Sequence, residues 1–174
     1  MININYRLLD QKFDYIYSIG MFEHVGYKNY DVFFQMINRC LEPNGRCVLH
    51  TIISTTMNDP YDVDNNTFIN TYIFPGGQIP NNDWILDKIK SNGLNVIHFE
   101  SFGGQHYAKT LDAWRNNMLN SADYVKKHFS EELLLKFDYY FSICRSGFIT
   151  GNLAIGHYII VHDEKLSINN SFNY

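Results

Sequence analysis

Two apolar runs restrict what this chain can fold into more than any other feature. Phe13-Asp14-Tyr15-Ile16-Tyr17-Ser18-Ile19 is rich in aromatic and β-branched residues and stops at Gly20. It reads as a buried strand. Cys47-Val48-Leu49-His50-Thr51-Ile52-Ile53 is a second strand, nearly all apolar before its histidine. Between them Val32, Phe33, Met36, Ile37 and Leu41 recur at helical spacing within Tyr30 to Leu41. Glu42-Pro43-Asn44-Gly45 stops that helix. Apolar strands alternating with helices predict an α/β fold whose parallel sheet is covered on both faces.

The rest of the chain continues the alternation. Ser54 to Pro80 is loop-rich, with Asp59-Pro60 and Phe74-Pro75-Gly76-Gly77. Trp84 to Ser91 predicts a short helix closed by Asn92-Gly93. Leu94 to Phe102 predicts a third strand, and Tyr107 to Leu119 and Ala122 to Phe129 predict helices. Ser130 is a candidate N-cap, with Glu131 and Glu132 in the first turn of a helix running through Cys144. Ile155 to Val161 predicts the last strand, and 163–174 reads as a polar tail. With 174 residues and no repeat or linker, one domain over 1–162 is the expectation.

Composition removes several function classes. The net charge is −4 and no Lys/Arg run occurs, so a nucleic-acid partner is not expected. No apolar stretch reaches the ~20 residues of a membrane span, and the first residues, Met1-Ile2-Asn3-Ile4-Asn5, show no signal-like block. The three cysteines, Cys40, Cys47 and Cys144, form no CxxC. Cys40, Cys47 and His50 fit no common zinc spacing, so no metal is expected and the thiols read as free, in a reducing cytoplasm. The aromatic share is 16%, which suits large apolar contacts in a core or around a greasy ligand.

Candidate chemistry gathers where the strands end. In open α/β sheets ligands bind beyond the carboxyl ends of parallel strands. Ser18-Ile19-Gly20-Met21-Phe22-Glu23-His24-Val25-Gly26 follows the first strand, and its glycines permit tight turns. Glu23 and His24 are therefore site candidates; a helix cap and a surface histidine are their alternative roles. His50 ends the second strand at the same sheet edge, where a satisfied strand-end histidine is the bland alternative. Tyr107 follows the turn Gly103-Gly104-Gln105-His106 and either enters a pocket or packs. Cys144 sits in the aromatic helix Phe137-Asp138-Tyr139-Tyr140-Phe141-Ser142-Ile143, where inert core is the default. Tyr139, Tyr140, Phe141 and Phe148 suit a core, or a cavity holding an acyl chain or a developing cation. No GxSxG, Walker A, HExxH, EF-hand or GxGxxG pattern is present.

An ordered set of runs resembles the cyclopropane fatty-acid synthase family of S-adenosylmethionine-dependent methyltransferases. The runs are Phe13-Asp14, Ser18 through Gly26, Lys28-Asn29-Tyr30, Leu41 through Gly45, and Leu49-His50-Thr51-Ile52. Tyr72-Ile73-Phe74-Pro75-Gly76-Gly77, His106-Tyr107, Thr110-Leu111 and Trp114 complete it. The resemblance implies the C-terminal portion of a Rossmann-like domain, a mixed sheet with helices on both faces and an antiparallel last strand pair. It implies methyl transfer to a cis double bond of an unsaturated phospholipid acyl chain. The carbocation then loses a proton and closes a cyclopropane. Bicarbonate is the implied base, held by Glu23, His50, the Ile52 backbone and Tyr107. Cys144 falls on the family's active-site cysteine, and Tyr139 and Tyr140 on the substrate pocket. Tyr6, Arg7, Ile19 and Gly20 are left to touch the cofactor.

The resemblance begins in the middle of the family's fold, without the glycine-rich cofactor loop. A truncated gene product, an incomplete gene model or a separate N-terminal piece is therefore expected. The strand from Tyr15 to Ile19 would then be an open apolar edge, prone to pair with a complementing fragment or a second copy. Asn5, Arg145 and Gly156 depart from the family's usual Asp, small residue and aromatic. The expected setting is cytoplasmic and peripheral to a membrane, with Tyr and Phe making the lipid contact. The alternatives are another methyltransferase of the same fold, a non-catalytic lipid-binding or interaction fragment, and a fragment that does not fold.

Overall fold

A computed structural model describes residues 4–56 and 66–163. The elements, in chain order, are β1 (Phe13–Ile19), α1 (Tyr30–Cys40), β2 (Leu41–Ser54), α2 (Phe68–Tyr72) and α3 (Asn82–Ser91). They continue with β3 (Asn95–Phe102), α4 (Gln105–Asn120), α5 (Ala122–His128), α6 (Glu131–Ile149) and β4 (Leu153–Val161). The strands form one sheet in the order β1-β2-β4-β3. β1 and β2 are parallel, and β4 is antiparallel to both β2 and β3. The sheet is therefore mixed, as the resemblance implies, and not the all-parallel sheet that alternation alone predicts. A strand covered on both faces reads as continuously apolar in either direction, so the pattern cannot carry orientation.

Helix α1 buries Tyr30, Phe33, Phe34, Met36, Ile37 and Cys40 against one sheet face. Cys47, Leu49 and Ile53 of β2, Tyr158 and Ile160 of β4, and Ile85 and Ile89 of α3 complete that core. A Lys88–Asp31 ion pair at 2.8 Å ties α3 to α1. On the opposite face Ile52 and Ile155 pack against Leu111 of α4 and Phe141 and Phe148 of α6. These two clusters are the helices on both faces that the fold class requires.

Several boundaries move. β2 begins at Leu41, directly after α1, because Leu41 pairs with Phe13 while the next pair is Tyr15 with Arg46. The stop sequence is looped out between those pairs. A Cβ on Gly45 would lie 2.9 Å from the Asp14 carbonyl oxygen, so the loop fits only without a side chain. The loop-rich segment holds α2, capped by the Thr67 side chain. Ser130 does cap α6, accepting from the Leu133 N–H at 3.0 Å. The helix passes Cys144 to end at Ile149. At Gly156, the Tyr158 ring occupies the space, 2.9 Å from where a Cβ would be.

β1 is not a buried strand. It is the sheet's edge, and only Ser18 of it is buried. Tyr15, Tyr17 and Ile19 are 72%, 77% and 64% exposed. No helix among the described residues is long and apolar enough to cross a membrane. The polar tail beyond Asp163 and the Asp59-Pro60 pair lie outside the described residues.

Candidate active site

Gly20 takes φ +61°, the left-handed region that favours glycine. Its N–H donates to the His50 carbonyl at 3.1 Å, which adds one rung to the β1–β2 ladder. The chain then turns over the end of the sheet. Phe22 is fully buried, its ring 4.3 Å from Tyr30 and 5.0 Å from Phe33. That anchor places Glu23, only 6% exposed, above β2.

β1 pairs with β2 as far as His50, so the Ile52 amide lies beyond the last strand partner on that side. It donates instead to Glu23 Oε1 at 2.6 Å. The Glu23 carbonyl accepts from Gln78 N–H at 2.9 Å, which fixes the segment after α2 over the site. The other carboxylate oxygen, Oε2, is buried with no hydrogen-bond partner. An orphaned buried acceptor is costly unless something fills the place.

Three elements bring neighbours to Glu23 around one cavity. His50 stands directly opposite His157 of β4, and its Nδ1 lies 2.5 Å from His157 Nε2. Burial holds His50 below the ordinary imidazole range, and His157 adds to this while Glu23 opposes it. Tyr107, in the first turns of α4, lies ring to ring with Phe148 at 4.6 Å. Burial, then Glu23 and Cys144, push its hydroxyl pKa up, so it stays a donor at neutral pH. Tyr140 and Cys144 stand one turn apart on α6. Burial pushes the Cys144 thiol up to about 11, so it is a thiol and not a thiolate.

Gly20, Glu23, His50, Tyr107, Tyr140 and Cys144 line one cavity of about 270 Å³, with Ile52 also in its wall. The residues singled out in sequence for the anion site thus share one space. The Ile52 amide is already committed to Glu23. Tyr139 faces away, its ring 4.7 Å from Phe68. Tyr6 and Ile19 line a separate groove of about 430 Å³ beside β1. Arg7 stacks over Tyr6 at 4.9 Å. In that groove Tyr6 Oη and Ser18 Oγ are buried without partners. His24 lines the cavity edge against Phe74, 5.1 Å between rings. His157 is the residue that sequence reasoning misses, because only strand register brings it to His50.

Comparison with known proteins identifies the relatives of this chain. The family model for mycolic acid cyclopropane synthetase matches residues 1–158. The chain is 37% identical over 144 residues to the cyclopropane-fatty-acyl-phospholipid synthase of Escherichia coli K12, covering 83% of this chain and 36% of the relative. It is 32% identical over 161 residues to cyclopropane mycolic acid synthase 1 of Mycobacterium tuberculosis, covering 86% of this chain and 55% of the relative. The solved cyclopropane synthase MmaA2 from Mycobacterium tuberculosis superposes with TM-score 0.80 at 27% identity, over 89% of this chain and 57% of that one. The mycolic acid cyclopropane synthase CmaA1, solved with SAH and CTAB, gives TM-score 0.79 at 30% identity over the same shares, 89% and 57%. The chain therefore spans between a third and about three-fifths of these relatives.

Proposed function

The chain belongs to the mycolic acid cyclopropane synthetase family, and on that premise we propose that its cavity serves cyclopropane formation on unsaturated phospholipid acyl chains. The observation that carries this reading is Glu23 Oε2, buried and unpartnered in a cavity shared with His50 and Tyr107. When bound, S-adenosylmethionine supplies an electrophilic methyl group and bicarbonate supplies a base.

The donor set fits bicarbonate. Ile52 N–H fixes Glu23 through Oε1, so Oε2 is left to accept from the ion's hydroxyl. Tyr107 and His50 line the same space and would donate to its oxygens. Tyr140 presents an aromatic face for a developing cation. Its neighbours Phe74 and Phe148 exclude the water that would quench one. Cys144 contributes a protonated thiol to the wall and is not the nucleophile, since the alkene fills that role.

Gly20 leaves open space where a side chain would stand, which suits a cofactor approaching the backbone. Tyr6, Arg7 and Ile19 form the chain's share of that side, with the hydroxyls of Tyr6 and Ser18 left for hydrogen bonds. Phe74 and Ile79 line the cavity and are partly exposed, and with the exposed Tyr72 and Tyr139 they would meet the lipid surface. The setting is a cytoplasmic membrane face. The open edge of β1 would pair with a further strand, from a complementing N-terminal piece or a second copy.

The test uses the full chain with unsaturated phospholipid vesicles and methyl-labelled S-adenosylmethionine. Acyl chains are analysed by gas chromatography and mass spectrometry, and S-adenosylhomocysteine binding is measured by calorimetry. The expected product is a labelled acyl chain one CH₂ heavier and lacking its double bond. Saturable cofactor binding without that product, or label in the head group alone, sinks the reading.

A further inference from the structure

We propose that His157 is a positioning residue for His50: it donates its Nε2–H to His50 Nδ1, so that His50 presents Nε2–H to the cavity. This deepens the bicarbonate reading of the site and rests on it.

The geometry begins with register. His50 and His157 are directly opposed across the antiparallel β2–β4 pair, so both side chains leave the same sheet face. Their ring nitrogens approach to 2.5 Å, which requires one proton between them. The Phe102 ring, 4.6 Å from His157, holds that imidazole from the β3 side. His50 is thus fixed through Nδ1, and the cavity it lines is left to Nε2.

The direction of the shared proton follows from the cavity's other groups. Glu23 faces His50 from the turn after β1, Tyr107 from α4, and Tyr140 and Cys144 from α6. Of these Glu23 turns an unpartnered carboxyl oxygen into the cavity, an acceptor toward any donor nearby. If His50 donated to His157, its Nε2 lone pair would point toward a carboxylate and a bound anion, acceptor against acceptor. If His157 donates, His50 offers an N–H to both. Burial disfavours imidazolium at His50, so the choice is between two neutral tautomers.

The experiment reads the tautomer itself. In the full chain labelled with ¹⁵N, long-range ¹H–¹⁵N correlation without bicarbonate reports which His50 nitrogen carries the proton, with a His50→Gln variant giving the assignment. The wild type is expected to show His50 as a single Nε2–H tautomer. His157→Phe keeps an aromatic ring against Phe102 but removes the donor, and should give mixed tautomers. His157→Gln should restore the single tautomer, because its amide N–H can donate to Nδ1. A wild-type His50 protonated at Nδ1, or a tautomer unmoved by His157→Phe, overturns the proposal. A residue that merely packs would leave the tautomer unchanged. If His157→Phe does not fold, the wild-type and His157→Gln spectra still decide. Bicarbonate is titrated separately, with an expected affinity loss of about tenfold in His157→Phe and recovery in His157→Gln. A correct tautomer with no bicarbonate response would break the anion reading and not the pairing of the histidines.

Discussion

The cavity above β2 and the flank of β1 are built on the same sheet, but one is covered and the other is not. Over β2, α4 and α6 bury Leu111, Phe141 and Phe148, and the segment after α2 is stitched to Glu23 by hydrogen bonds. Along β1, Tyr15, Tyr17 and Ile19 are exposed, with no helix over them among the described residues. The orphaned polar groups differ in the same way. The cavity has one, Glu23 Oε2, beside a histidine and a tyrosine. The β1 groove has two hydroxyls and no charged partner of comparable burial. Among the described residues, the cavity over β2 thus gathers a carboxylate, an imidazole and a phenol under two helices, while the β1 groove offers two hydroxyls beside an uncovered strand face.

The largest expected effect separates these regions by chemistry. Glu23→Gln keeps an acceptor for the Ile52 amide but removes the charge. On the proposed reading the base would then be poorly held, and turnover should fall by ~10²–10⁴-fold, the usual range when acid–base catalysis is lost. Stability, read from urea unfolding, should change by about 1 kcal/mol or less. Full turnover in Glu23→Gln would move the anion site elsewhere.

Next comes the contact between α4 and the end of α6, where Phe148 lines the cavity. A Cβ on Gly104 would stand 2.0 Å from the Phe148 carbonyl oxygen, a backbone atom that cannot swing aside. Gly104→Ala should therefore push α4 away from the end of α6 and cost roughly 3 kcal/mol. A loss below about 1 kcal/mol would show that the two helices are not locked together.

A smaller effect is a pH dependence. Burial first, and His157 second, lower the His50 pKa in the folded chain. Between that lowered value and the ordinary ~6.5 the unfolded chain binds more protons. Stability is thus full above about pH 6.5 and falls as pH drops toward the folded pKa, then levels off. The difference between wild type and His50→Gln in urea midpoint across that window isolates the term. A flat difference would mean that His50 titrates as it does in the unfolded chain.

The sequence made the helices and strand ends legible because each has a local cause. Gly20 marks the end of β1, Ser130 caps α6, and Phe33, Met36 and Ile37 of the apolar spacing fall on the face that α1 buries, while Val32 is exposed and Leu41 opens β2. α2 escaped notice because five residues are too few to show a period, and its cap, Thr67, is a common loop residue. His157 escaped for a different reason. Nothing within β4 distinguishes it; its role comes from a partner 107 residues away, chosen by register. The commitment of the Ile52 amide to Glu23 was equally hidden, since it follows from where β1 stops pairing.

The smallest effect probes the bare flank. Tyr17 is 77% exposed on an edge strand, so Tyr17→Lys removes no buried area within one chain. A surface change of this kind should move stability by about 0.5 kcal/mol or less. The same lysine places a charge on an edge that would otherwise pair with another strand. Sedimentation velocity should then show less self-association in the variant than in the wild type, at matched concentration. The two readings constrain each other. If Tyr17→Lys cost more than about 1 kcal/mol, the tyrosine would be buried in solution, and the flank would be covered by another copy. If neither stability nor association moved, the edge would be protected by its twist or its neighbours, and the contrast between the two regions would rest on the cavity alone.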